Sequence, residues 1–252
     1  MAVPPRTGFH DSREKIRVIG GIERVAIGGH LGQVSRHRLS APAVVVGVDR
    51  SVRMRSEHVH EGRAVLVRPG CWHSVDAMDG RVAVFLLPPH ALRSDQLTWV
   101  QDLPHPAWWI ELGEALVTGS LSVFEPIDRC LAREQLNVRP IDDRLRTAMA
   151  DLARALDENV PIGDVAAAAH LSASRLMTLA HQQLGTSLRA YRRWVRAFRV
   201  VRDYAAGSSL TEAAFTAGFA SSAHLSASTR QHFGVRPSDI LWPANRAAIR
   251  VI

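Results

Sequence analysis

The hydrophobic positions of this chain change period along its length. Between about Ile16 and Leu87 they fall in short Val-rich runs: VVVGV (Val44–Val48), AVLVRPG (Ala64–Gly70) and RVAVFLL (Arg81–Leu87). Turn signals at Gly20-Gly21, Gly28-Gly29 and Asp79-Gly80 divide them. Short strands at this spacing predict a small barrel or sandwich. After Pro88-Pro89 the period lengthens. Helices are predicted over Pro106–Val117 and roughly Leu121–Leu136, with Pro106 suited to a first helical turn and Gly119-Ser120 to the break. A boundary falls near Asn137–Pro140. Beyond it Leu145, Met149, Leu152 and Leu156 recur at helical spacing behind Asp142 and Asp143, which favour a helix N-terminus.

The last third then repeats one outline. PIGDVAAAAHLSASRLMTLAHQQLG spans Pro161–Gly185, and SSLTEAAFTAGFASSAHLSASTRQHFG spans Ser208–Gly234. In the second copy Ser209 and Glu212 make a capping box, so a helix starts near Leu210. Gly218 permits a backbone conformation that a Cβ resists. Phe219 enters a core, Ser221 or Ser222 caps the next helix, Gly234 ends it and Pro237 blocks simple continuation. In the first copy Asp164 lies at a helix start, Ala166–Ala169 give a small face, Ser172 caps and Gly185 terminates. A long helix, Leu188–Ala205, joins the two and is stopped by Gly207. This is a helix-turn-helix outline, which lays its second helix in a DNA major groove.

The segment Ile141–Ile240 resembles the DNA-binding domain of the AraC/XylS family of bacterial transcription regulators. The resemblance rests on LSASRLMTLAHQQLG, on Tyr191 and Arg196 in the linking helix, and on AGFASSAHLSASTRQHFGVRPSDI. The spacing of Gly218, Phe219, Ser221, His224, Gly234 and Pro237 is its most specific part. There are departures: Ala180-His181 stands where an aromatic-basic pair is usual, Ala227 removes a side chain that often contacts DNA, and Thr229 replaces a core aromatic. By resemblance the base-facing positions are Ser174, Met177, Thr178, His181 and Gln182 in the first unit, and Ser222, Ala223, Ser226 and Ala227 in the second. They are mostly small, so specificity is expected to lean on methyl contacts, water and DNA shape. Arg175, Arg192, Arg193, Arg196, Arg199, Arg230 and Arg236 are candidates for phosphate contact, with a structural role as the alternative, above all for mid-helix Arg196.

Charge supports this division. The net formal charge is +7, and every basic residue but Lys15 is Arg. Residues 1–139 hold 17 basic against 15 acidic side chains, whereas residues 175–252 hold 11 Arg against Asp203, Glu212 and Asp239. A basic face confined to the repeated segment suits phosphate binding. Two cysteines, Cys71 and Cys130, make neither a disulfide framework nor a CxxC zinc site. No signal-peptide core or membrane-spanning run is visible, so a cytoplasmic protein without membrane association is expected.

In the N-terminal part, Arg68-Pro69-Gly70-Cys71-Trp72-His73 looks like the second motif of a cupin barrel. His58-Val59-His60-Glu61 suggests further metal ligands, but Glu61 follows His60 directly and Gly62 then opens the strand, so three well-placed ligands are not evident. No metal, cofactor or catalytic residue is expected. A small-molecule effector pocket fits better, with His37, Trp72, His73 and Phe85 as its lining; simple barrel filling is the alternative. Cys71 is a further candidate, as a thiol sensor. Trp108-Trp109 and an apolar face of Ile110, Leu116, Leu121, Phe124 and Leu131 could support a homodimer, or else cover one barrel opening.

The chain is thus read as a two-domain α+β protein. Residues 1–138 form a small cupin-like β-barrel with trailing helices that senses an effector or dimerises. Residues 139–252 form an all-α DNA-binding domain with helix-turn-helix units at 161–185 and 208–234. The expected function is a sequence-specific, effector-responsive regulator, not an enzyme, that reads two adjacent major-groove segments of double-stranded DNA and recruits RNA polymerase as an activator. The alternatives are a constitutive DNA-binding regulator whose barrel only dimerises, and a metal-dependent cupin enzyme.

Overall fold

The structure, a computed structural model, describes residues 16–21, 24–91, 100–120, 122–136, 140–156 and 160–251. Its first part holds ten strands: β1 (Arg17–Gly20), β2 (Val25–Gly29), β3 (Gln33–His37), β4 (Ala43–Gly47), β5 (Val52–Arg55), β6 (Val59–Gly62), β7 (Ala64–Val67), β8 (His73–Asp76), β9 (Val82–Leu86) and β10 (Val100–Asp102). An eleventh, β11 (Ile249–Val251), comes from the C-terminal end. A seven-stranded sheet runs β10-β7-β4-β9-β2-β1-β11 and faces a four-stranded sheet, β3-β8-β5-β6. The expected barrel-like part with trailing helices and the helical second part are both present.

The Val-rich runs lack polar alternation because both faces of the larger sheet are covered. Residues of β4 are buried along its whole length. On the outer face Val44, Val46, Leu66 and Phe85 pack under α1 (Pro106–Thr118) and α2 (Phe124–Arg133). Trp109 is fully buried there, its ring 5.8 Å from that of Phe85. On the inner face Val45, Val65, Val67, Val82 and Leu86 join a core that continues into the C-terminal helices.

This corrects two expectations. Phe85 belongs to the outer layer rather than the barrel interior, because its alternation along β9 points it at Trp109. The apolar face proposed for dimerisation is spent within the chain: Leu116 and Leu131 are buried against the sheet, with Ile110 and Phe124 half-buried beside them. Leu121 and the boundary residues 137–139 lie outside the described residues.

The second part contains α3 (Asp143–Arg154), α4 (Ile162–Ala168), α5 (Ala173–Leu184), α6 (Leu188–Ala205), α7 (Leu210–Thr216), α8 (Ser222–Phe233) and the short α9 (Pro237–Ile240). A 3-10 turn over Pro243–Ala248 leads to β11. That strand pairs in parallel with β1, Val18 opposite Ile249. The end of the chain therefore returns to the N-terminal sheet across the 138/139 division. Nothing in the periodicity of a three-residue strand signals such a return.

Caps form where the residue types require them. Ser172, Ser209 and Ser221 accept from backbone N–H groups of Arg175, Glu212 and His224, and Glu212 closes the capping box. Gly218 has φ of +78°, and a Cβ there would lie 3.0 Å from the Leu156 carbonyl oxygen. The equivalent turn of the first unit puts His170 at φ of 55°. The left-handed region costs a residue with a Cβ about 1–2 kcal/mol, partly offset by the greater freedom of an unfolded glycine. His170→Gly is expected to raise stability by about 0.5 kcal/mol, read as a higher urea midpoint with an unchanged slope.

Candidate functional site

Each helix-turn-helix unit buries one stripe of its second helix and leaves the opposite stripe open. In α5 the inward residues are Leu176, Leu179, Ala180 and Leu184. Ser174, Met177, Thr178, His181 and Gln182 are all exposed, Met177 by 53%. In α8 Leu225 is buried, Ser222, Ala223 and Ala227 are exposed, and Ser226 is half-buried. His224 serves the turn: its ring meets Phe219 edge-on at 5.4 Å and its Nδ1 accepts from the Ala220 N–H. The two open stripes are joined by α6, whose 18 residues span about 27 Å, on the scale of the roughly 34 Å pitch of DNA.

The structure divides the seven arginines proposed for phosphate contact. Arg175, Arg230 and Arg236 are exposed. The four on α6 are half-buried and work inside the protein. Arg192 donates to the Val160 carbonyl, Arg196 donates to the Leu156 carbonyl at 3.1 Å, and Arg199 pairs with Asp203 at 2.8 Å. Arg193 turns toward the barrel, where burial, with Arg38 and Arg189 beside it, lowers its pKa. The physical reason is local: carbonyls after α3 and before α4 need donors, and a central helix carrying long guanidinium arms can reach them.

The second unit is fastened to the barrel. The Ser35 N–H of β3 donates to the Gly234 carbonyl at 3.0 Å, and the Arg38 N–H donates to the Gln231 carbonyl at 3.3 Å. The edge strand of the smaller sheet thereby satisfies carbonyls left open at the end of α8. Ser40 Oγ adds a bond to the Ala190 carbonyl of α6 at 3.3 Å. Gly234 ends α8 with φ of +72°, and a Cβ there would lie 2.5 Å from the Ser35 oxygen and 2.6 Å from His37 Nδ1. The local sequence marks Gly234 as a helix stop only; its packing against β3 comes from the fold.

Behind this seam lies a cavity of about 140 Å³. Its walls come from both parts of the chain: Val18, Val25, Val45, Val82 and Leu86 from the barrel, Trp194, Phe198 and Val201 from α6, and Leu225, Thr229 and Phe233 from α8. His37 and His73 line it. Trp72 does not; it is 39% exposed, with the guanidinium carbons of Arg36 and Arg38 at 5.4 and 5.3 Å from its ring centre. Thr229, noted for replacing an aromatic, borders the cavity.

Three imidazoles gather at this seam. The rings of His37 and His73 are 4.2 Å apart. Burial, with His73 and His232 nearby, lowers the His37 pKa to about 3. Burial, with Arg193 and Arg38 adjacent, lowers that of His232 to about 4, and burial lowers that of His73. Burial raises the Cys71 pKa, which keeps its thiol protonated and unsuited to thiolate chemistry. His58, His60 and Glu61 are elsewhere. They sit on or beside β6, at the opposite edge of the smaller sheet from β3, and His60 pairs with Asp102 at 3.0 Å. Among the described residues no three His, Cys, Asp or Glu side chains are grouped to hold a metal ion.

The family described as "Helix-turn-helix domain" matches residues 165–241, the span from α4 to the end of α9. The whole fold is similar to that of ToxT from Vibrio cholerae. The structure of ToxT from strain O395 bound to (E)-4-(8-methylnaphthalen-1-yl)but-3-enoic acid is 10% identical, covers 91% of this chain and 98% of its own, and has a TM-score of 0.61. Unsaturated fatty acid bound wild-type ToxT from strain SCE256 is 11% identical over 90% and 94% of the two chains, with a TM-score of 0.58. A transcriptional regulator with an AraC-type DNA-binding domain from Chromobacterium violaceum is 26% identical over 42% of this chain and 93% of its own, with a TM-score of 0.39. No curated protein matches the chain. Among the described residues no helix is long and apolar enough to cross a membrane.

Proposed function

We propose that this chain is a ligand-responsive transcription regulator, acting in the cytoplasm, that reads two adjacent major-groove segments through α5 and α8. The observation that carries the ligand-responsive part is the cavity whose walls are shared by the barrel, α6 and α8. A molecule that fills it touches the sensing part and the second recognition helix together, so its binding energy depends on how the two are seated. The likeness in fold to ToxT, whose structures include ones bound to an unsaturated fatty acid and to (E)-4-(8-methylnaphthalen-1-yl)but-3-enoic acid, supports the ligand-responsive reading. RNA polymerase recruitment completes the reading as its output. Arg175, Arg230 and Arg236 supply phosphate contacts; the exposed small residues of α5 and α8 supply base-edge and shape readout.

Selection of genomic fragments by the purified full-length protein at fixed salt tests this. The expected result is a shared motif with two half-elements about 10 base pairs apart. Enrichment without a motif would overturn sequence-specific regulation. Salt dependence tests the division of the arginines. Each lost phosphate contact flattens the slope of log K against log salt by roughly one. Arg175→Ala and Arg230→Ala are each expected to reduce it by about that amount, whereas Arg199→Ala, removing a partner of Asp203, should leave it unchanged. Equal effects at all three positions would contradict the division.

A further inference from the structure

The wall of the cavity is carbon almost throughout; besides the Trp194 indole and Arg236, its polar side chains are Thr229, His37 and His73, which present acceptors. The Thr229 hydroxyl donates to the carbonyls of Leu225 and Ser226, at 3.0 and 3.2 Å, which leaves lone pairs to offer. His37 Nδ1 lies 2.8 Å from the Ser35 carbonyl oxygen, and His73 Nδ1 lies 3.0 Å from that of Cys71. A carbonyl oxygen only accepts, so each Nδ1 carries the hydrogen. A neutral imidazole has a single N–H, and Nε2 of both rings is then an acceptor. His37 is 3% exposed and His73 1%. His73 Nε2 is buried with no hydrogen-bond partner, and an unpaired buried acceptor costs about 1–3 kcal/mol. The burial that depresses both pKa values keeps the rings uncharged. Among the described residues Arg236 is the one charged side chain on the lining, and it is exposed.

Size narrows the occupant further. An apolar cavity of about 150 Å³ admits benzene, and this one measures about 140 Å³. We propose that the cavity takes a neutral molecule of benzyl alcohol size, apolar except for one O–H or N–H group, which donates to Nε2 of the His37–His73 pair. The inference rests on the cavity being the effector site. A carboxylate is disfavoured beside these three side chains, because its oxygens would meet lone pairs on both imidazoles and on Thr229.

The test uses full-length protein and three probes of similar shape: ethylbenzene, benzyl alcohol and benzoate, titrated calorimetrically at pH 7. Wild-type protein is expected to bind benzyl alcohol at least tenfold more tightly than benzoate. The affinity ratio of benzyl alcohol to ethylbenzene is expected to fall about tenfold in His37→Phe or His73→Phe, which keep an aromatic ring and remove the acceptor. Nitrogen-15 NMR of the histidine side chains gives a readout that needs no variant: Nε2 of both residues unprotonated in the free protein, and a shift at one of them with benzyl alcohol that ethylbenzene does not produce. The proposal is overturned if Nε2 carries the proton, if both variants leave the ratio unchanged, or if benzoate binds more tightly than benzyl alcohol and loses that binding in Arg236→Ala. In the last two of these cases the cavity remains a binding site. If neither neutral probe binds, this inference falls; if benzoate does not bind either, the effector-site reading falls with it.

Discussion

Gly234→Ala is expected to unfasten the second recognition helix from the barrel and to lower the unfolding free energy by about 3 kcal/mol. Two effects combine. The residue sits at φ of +72°, where a side chain costs about 1–2 kcal/mol. The added Cβ would also lie 2.5 Å from both the Ser35 oxygen and Val34 Cγ1, and 2.6 Å from His37 Nδ1. Two of those neighbours are backbone or closely tied to it, so β3 and the end of α8 must part. Parting them breaks the bonds from the Ser35 and Arg38 N–H groups to the Gly234 and Gln231 carbonyls, each worth roughly 1 kcal/mol. Amide hydrogen exchange reads this residue by residue. The Ser35 and Arg38 amides should lose protection in the variant, while the ladder between β4 and β9, which the seam does not touch, should keep its own. A variant in which Ser35 and Arg38 stay protected would show that the seam does not depend on the glycine. If the cavity signals through this seam, a ligand that shifts DNA affinity in the wild type should no longer do so in Gly234→Ala.

How much of this was legible in the sequence depends on how local the cause is. The capping serines, the glycine stops and the long helix from Leu188 to Ala205 follow from residue types within a few positions, and each falls where the pattern placed it. The outward stripes of α5 and α8 follow from helical periodicity, apart from the half-buried Ser226. The arginines of α6 were ambiguous because charge says that a side chain prefers water or a partner, and does not say which partner. Arg196 finds the Leu156 carbonyl 40 positions away. Phe85 is expected inside the barrel and lies on the outer face, since a strand covered on both sides carries no polar alternation to set its phase. The cavity itself was half visible: His37 and His73 were named, and Thr229 stood out as the loss of a bulky ring. Its other walls come from α6 and α8, more than 100 residues along the chain, and only the docking of the two parts brings them together.

Acid should weaken the protein in two separable windows, the first set by the imidazoles at the seam. The ordinary histidine pKa is 6.5; His37 is held at about 3 and His232 at about 4 in the fold. With the folded value below the unfolded one, the unfolded chain binds a proton first. The stability that depends on the neutral ring is therefore complete above about pH 6.5 and is lost as pH falls toward the folded values. Each such imidazole contributes a slope of about 1.4 kcal/mol per pH unit within its window, so His37 alone is worth about 5 kcal/mol across its own. A proton on His232 would meet the guanidiniums of Arg193 and Arg38, and one on His37 would meet the ring of His73. Urea unfolding at intervals from pH 7 to pH 4.5 should show stability falling, with one to three protons taken up per molecule on unfolding. Carboxylates such as Asp49, held at about 2 mainly by its hydrogen bond from Arg81, act only at lower pH and do not explain a loss that begins at 6. His37→Phe should flatten the first window by about one proton while leaving the second in place. A wild-type profile that is level between pH 7 and 5 would mean that these rings reach solvent and partners more freely than their packing at the seam implies. A slope unchanged in His37→Phe would move its origin to the other histidines of the chain.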